Sequence, residues 1–209
     1  MVSCTVRAFW RNAFKSPTSA RLRGPAGSNA TSPPRIVSKI AIAIVREDEP
    51  TMPALQPPAF DPRDIPESNA TSYPEPYRAA NLHRYNRRLG DHAGLQNYGV
   101  VMTRIVPGGQ SSHRHAHSRQ DEFVYVLEGE VTLETDAGQQ ILVAGMCSGF
   151  PAGTGDGHRF VNHSSTDTVL LVVGDRAAND EVSYPDIDMH LEPLPDGTRR
   201  FMRKDGTPY

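Results

Sequence analysis

Residues 109–129 read GQSSHRHAHSRQDEFVYVLEG, and this stretch decides the fold. Its second half alternates. Glu122, Val124 and Val126 fall on one side of an extended chain, and Phe123, Tyr125 and Leu127 on the other, the period-two signature of a strand. Gly129 follows, then VTLET (131–135) and a break at Asp136-Ala137-Gly138, so a tight hairpin is predicted. In the first half, His115 and His117 stand two residues apart, and on a strand such a pair projects from one face. A fold that sets them beside Glu122 assembles two imidazoles and a carboxylate, a donor set for a divalent transition metal.

The pattern continues in both directions. YGVVMTRIV (98–106) is strand-like and stops at Pro107-Gly108-Gly109; QQILVAG (139–145), HRFVN (158–162) and TVLLVVG (168–174) are further short strands. Turn signals roughly every 8–15 residues predict an all-β sandwich or barrel. Seventeen glycines and 18 prolines in 209 residues suit that class better than a helical bundle. Residues 53–97 form a Pro-rich approach, expected to wrap the body in short extended pieces, with a short helix over 77–88 closed by Gly90. Residues 175–209 are polar and turn-rich, expected to pack on the barrel or on a dimer partner.

A second group of residues lies about forty positions on. PAGTGDGHRFVN (151–162) places His158 at the head of a strand, facing the same way as Phe160 and Asn162. Beside the hairpin it supplies a third imidazole. Three His and one Glu leave coordination positions open for water, substrate or dioxygen, as a catalytic site requires. Other chemistry-bearing residues have plainer readings. His113 shares the parity of the pair and is expected at the rim; His163 has the wrong parity. Cys147 is expected to be a small buried residue, Asn162 to satisfy a turn, and Arg104, Arg159 and Tyr125 to face outward.

These spacings resemble the two motifs of the cupin superfamily: Gly109-x5-His115-x-His117-x4-Glu122-x6-Gly129, and then the PAGTGDGHRFVN segment, which carries two extra residues between Gly153 and His158. The resemblance covers roughly residues 98–174. It implies a small antiparallel double-stranded β-helix, a jelly-roll barrel with an irregular Pro-rich N-terminal extension. It also implies a metal (Fe, Mn, Zn or Ni) held by His115, His117, Glu122 and His158, and a homodimer. The implied activity is dioxygenase, decarboxylase, isomerase or lyase chemistry on a small carboxylate, enediol or sugar. The alternatives are a non-catalytic ligand-binding or sensing protein and a barrel that its metal merely stabilises. No residue stands out as a general base.

Charge divides the chain. Residues 1–46 hold eight basic residues and no acid, leaving 14 basic and 24 acidic residues in 47–209. An acidic body argues against binding a nucleic-acid backbone, which needs neutralising Lys and Arg. The longest apolar run, Ile36–Val45, is too short to span a bilayer, so no membrane partner is expected. Cys4 and Cys147 fall in different segments, which argues against a disulfide framework. The basic segment, taken as 1–52, is expected to be disordered, a targeting extension or the product of a start at Met1 rather than Met52. The location expected is cytoplasmic, or organellar if residues 1–46 are a transit peptide.

Overall fold

The alternation in residues 122–128 becomes a strand whose two faces meet different surroundings. Val124 and Val126 are buried, while Phe123, Tyr125 and Leu127 are exposed. A computed structural model describes residues 55–209; the extension expected over 1–52 lies outside the described residues. Strands β1 (Arg84–Arg88), β2 (Tyr98–Ile105), β3 (Ala116–His117), β4 (Glu122–Glu128), β5 (Glu130–Thr135) and β6 (Gly138–Val143) precede β7 (Cys147–Phe150), β8 (Arg159–Val161) and β9 (Thr168–Asp175). The tail adds β10 (Val182–Tyr184), β11 (Met189–Pro193) and β12 (Arg199–Met202). Pairing is antiparallel throughout, in sheets ordered β1-β2-β9-β4-β7, β6-β5-β8 and β12-β11-β10-β3. This is the all-β antiparallel jelly roll that the sequence predicts. No helix among the described residues is long and apolar enough to cross a membrane.

Inward-facing residues of the first two sheets make the main core: Ile105, Val124, Val126, Val131, Leu133, Phe160 and Leu170. Each such side chain contributes on the order of 1.5–3 kcal/mol by leaving water. The turn into β5 depends on Gly129. Its φ is +77°, and a Cβ there would lie 2.6 Å from the Asp167 carbonyl oxygen. Asn162, fully buried, ties two loops to the core. Its Nδ2 donates to the Ile105 and Thr166 carbonyls, and its Oδ1 accepts from the Ser164 amide. That is the turn-satisfying role expected of it.

Two local expectations are corrected. Residues 77–88 are not a helix: a single 3₁₀ turn at Ala79–Asn81 gives way to β1, and only Leu89–His92 makes a short helix, α1. Arginine favours helices when isolated, but pairing along the full length of β1 with β2 overrides that weak preference. Cys147 is exposed. Its strand pairs Tyr125 with Cys147 and Glu122 with Phe150, so parity sends Phe150 inward and puts Cys147 on the outer face with Tyr125. Residues 175–209 pair with β3 through β10, and a second core joins Tyr73 of the Pro-rich segment to Val182, Tyr184 and Met189.

Candidate metal centre

The two histidine segments meet through their backbones. The His115 amide donates to the His158 carbonyl at 3.1 Å, and the His158 amide returns the bond to His115 at 2.8 Å. His115 and His117 then project to one side, ring centroids 5.1 Å apart. Glu122, first residue of β4, shares the inward parity of Val124 and Val126. One ligand atom from each of His115, His117 and Glu122 lies within 4.8 Å of the others. His158 stands outside that triplet but touches it, with Nε2 3.2 Å from Glu122 Oε1. Its ring stacks on Phe150 at 3.6 Å and 8°, which fixes its orientation. The two extra residues before His158 lengthen its loop, and His158 lies against Glu122 outside the triplet.

The outer nitrogens of His115 and His117 are engaged, whereas His158 Nδ1 is buried without a partner among the described residues. His115 Nδ1 bonds the His113 carbonyl at 3.0 Å and the Ser112 hydroxyl at 3.1 Å; His117 Nδ1 bonds Asp180 Oδ2 at 2.7 Å. Carbonyl and carboxylate oxygens only accept, so each Nδ1 carries the proton and each Nε2 keeps a lone pair. Partners of this kind orient metal-binding histidines and raise their basicity. Burial pushes His115 down to about 4, so it is a neutral imidazole at neutral pH. Burial opposes charge on Glu122, yet the His158 hydrogen bond and the neighbouring imidazoles hold its carboxyl below the usual range. Burial likewise opposes charge on Asp180, and the bonds from His117 and the Arg119 amide outweigh it. Imidazoles with Nε2 lone pairs on His115 and His117, together with the Glu122 carboxylate, are a donor set a divalent transition metal takes, so these three residues fit such an ion, and His158, whose Nε2–H donates to Glu122, would join them only by giving up that bond.

A cavity of about 220 Å³ adjoins the cluster, its wall including His115, Glu122, Tyr73, Arg84, Asn86 and Thr103. A groove of about 350 Å³ opens on the other side of His117, beside Ser118, Glu181, Ser183 and His190. The remaining expected residues sit away from the cluster. His113 Nε2 bonds the Tyr77 carbonyl, with its ring edge-on to Tyr73 and Tyr77, a rim position. Arg104 pairs with Glu67 and Asp167, and Arg159 with Glu134. His163 and Tyr125 are exposed.

Four residues near the cluster escape a reading of the sequence: Asp180, Arg84, Tyr73 and Tyr184. Asp180 lies 63 positions after His117, in a segment marked only by turns. Arg84 and Asn86 share the inward parity of β1, a signal visible only once 84–88 is read as a strand. Tyr184 lies nearly parallel to the His115 ring at 6.0 Å, and Tyr73 meets Tyr184 edge to face at 5.9 Å. Burial pushes both phenols up, so both remain neutral.

The cupin-domain family profile matches residues 101–174. A crystal structure titled as a sugar phosphate isomerase from a cupin superfamily, from Silicibacter pomeroyi, is 41% identical, with a TM-score of 0.69 over 73% of this chain and 96% of that one. A second, provisionally named a sugar phosphate isomerase, from Acidithiobacillus ferrooxidans, is 33% identical, with a TM-score of 0.55 over 58% of this chain and 77% of that one. No curated protein sequence matches the chain.

Proposed function

The chain belongs to the cupin superfamily, and from that premise we propose that it is a metal-dependent isomerase of a small hydroxy-carbonyl sugar, with His115, His117, Glu122 and His158 as the ligands. One observation carries the proposal: His115, His117 and Glu122 converge within 4.8 Å, and His115 and Glu122 line a half-open cavity of mixed polar and apolar character. The names of the two similar structures favour isomerisation over the dioxygenase, decarboxylase and lyase chemistries open to such a site. A bound divalent ion supplies Lewis acidity toward adjacent carbonyl and hydroxyl oxygens of the sugar. The protein's part is binding and orientation. Thr103 Oγ1 donates to Asn86 Oδ1 at 2.9 Å, which leaves the Asn86 amide hydrogens for a sugar hydroxyl. Tyr73, kept neutral by burial, offers an O–H on the same wall. Asp180 and Ser112 hold the two imidazoles in place.

The test is interconversion of aldose and ketose sugars and their phosphates, followed by NMR in D₂O with the protein loaded in turn with Mn, Fe, Zn and Ni. Turnover that disappears in His115→Ala and Glu122→Ala is the expected result. No interconversion with any of the four metals, or turnover that survives both substitutions, refutes the proposal.

The working unit we propose is a homodimer closed over the outer face of the five-stranded sheet. Phe123, Tyr125 and Leu127 are exposed there, and register sets Phe123 beside Val173 and Val100, and Tyr125 beside Leu171 and Met102. Contiguous apolar surface of this kind marks an association site. The acidic balance of residues 47–209 disfavours a nucleic-acid partner, and the cytoplasm is the proposed location.

A further inference from the structure

We propose that Arg84 anchors an oxyanion of the substrate, a phosphate monoester or a carboxylate, on the free Nε–Nη2 edge of its guanidinium. The inference rests on the reading above that the cavity beside His115 and Glu122 receives the substrate. Arg84 lines that cavity. It shares its face of β1 with Asn86, which bonds Thr103 across the strand pair. Its Nη1 donates to the Ser111 carbonyl. Its Nε is buried with no partner, and among the described residues Nη2 makes no hydrogen bond and no carboxylate lies within 4 Å of the group.

That edge is the one this protein uses elsewhere to hold carboxylates. Arg104 reaches Glu67 with Nε at 3.0 Å and Nη2 at 2.7 Å. Arg114 reaches Asp186 with Nε at 2.9 Å and Nη2 at 2.6 Å. On Arg84 the same edge is unpaired, with Nε closed off from solvent, so an oxyanion that takes both nitrogens must first shift the side chain or its neighbours. A buried N–H without a partner is costly, and a guanidinium does not escape by losing its proton. Burial lowers its affinity for that proton, while the groups acting on it are Tyr73, Tyr184, Arg88 and Glu122. The two phenols are neutral, Arg88 is a like charge, and Glu122 is engaged by His158 and the histidine cluster. What is missing is an anion, and the planar fork matches a carboxylate or a phosphate in two parallel bonds.

The experiment is isothermal titration of wild type, Arg84→Met and Arg84→Lys, each loaded with Zn, with glucose 6-phosphate, glucuronate and glucose. Elemental analysis and thermal melting of each variant report whether the metal site and fold are intact. Wild type is expected to bind the phosphate or the acid more tightly than glucose. Arg84→Met is expected to weaken that ligand by about 10–100-fold, as loss of charged hydrogen bonds should, with metal content and glucose binding unchanged. Arg84→Lys should recover only part, since an ammonium lacks the fork. Which ligand loses affinity identifies the anion. Failure of both anions to bind wild type, or equal binding by wild type and Arg84→Met, overturns the proposal. Arg84-dependent binding without any sugar interconversion would leave the anchor standing and remove the isomerase reading; interconversion of a sugar phosphate or sugar acid that runs equally well in wild type and Arg84→Met would do the reverse.

Discussion

Replacing Asp180 with Asn separates the orientation of His117 from the stability of its surroundings. The Asp180 side chain is fully buried. Its Oδ2 accepts the His117 Nδ1–H at 2.7 Å, and its Oδ1 accepts the amides of Arg119 at 2.9 Å and Gln120 at 3.2 Å. Asn keeps the volume and can keep Oδ1 on the two amides. In place of Oδ2 it offers an N–H, which faces the Nδ1–H of His117 donor to donor. The imidazole relieves this by moving its proton to Nε2, where it blocks the lone pair a metal needs. Loss of an outer partner of this kind costs on the order of 10–100-fold in metal affinity, or about 1.4–2.8 kcal/mol. Competition for Zn or Mn against a chromophoric chelator measures the affinity, and urea unfolding of the metal-free protein checks the fold. Asp180→Ala is the contrast: it also strips the acceptor from two amides, so the metal-free protein should lose a further ~1–3 kcal/mol for each donor left buried. Metal affinity within twofold of wild type in a folded Asp180→Asn protein would refute the role given to Asp180.

Acid should destabilise the metal-free protein early. His115 titrates near 6.5 unfolded and at about 4 folded, so the unfolded chain binds the extra proton first. The contribution is complete above pH 6.5 and is lost as pH falls toward 4; urea unfolding across that window should flatten in His115→Gln, and an unchanged slope would contradict the assignment. Gly129→Ala should cost more than about 2 kcal/mol, since left-handed backbone alone costs about 1–2 and its Cβ would also meet the Asp167 carbonyl. Gly94→Ala, at φ +73° with open space around it, should cost only the backbone part, and equal losses in thermal melts would show the close approach is harmless. Phe123→Glu with Tyr125→Glu should give a monomer by sedimentation equilibrium while wild type sediments as a dimer; a monomeric wild type would dispose of that interface. A chain shortened to begin at Met52 should melt and bind metal like the full chain, because both cores and all four proposed ligands lie within residues 55–209; loss of soluble protein would make the extension part of the fold.

How far the sequence could be read follows from the range of each interaction. The parity of β4 is local, so the outward Phe123 and Tyr125 and inward Val124 and Val126 were legible from seven residues. The His115–His117 spacing and the place of Glu122 were legible for the same reason, and His158 became so once its strand was recognised. Cys147 was misread because its facing depends on register against Tyr125, which no single strand reveals. Residues 84–88 were misread because the partner strand, not local preference, decides their conformation. Asp180 and Arg84 could not be found: Asp180 reaches the cluster across 63 residues and Arg84 through a strand pairing that local preference does not show, and neither carries a motif of its own.

The pairing of β3 with β10 has a consequence for the order in which the protein is made. All four proposed ligands are synthesised by residue 158, and the stretch that identifies the family is finished by residue 174. The carboxylate that sets the His117 proton, and the strand that closes beside it, come only afterwards. A chain cut short at Asp175 by a premature stop or a protease would still be recognised by its motifs. It would lack Asp180, β10 and most of the second core, and it would keep the partners of His115 and His158 while losing the one that aims His117. The partner that aims His117 is therefore in place only at the end of synthesis, and the intact carboxyl-terminal segment says more about the finished site than the motif alone.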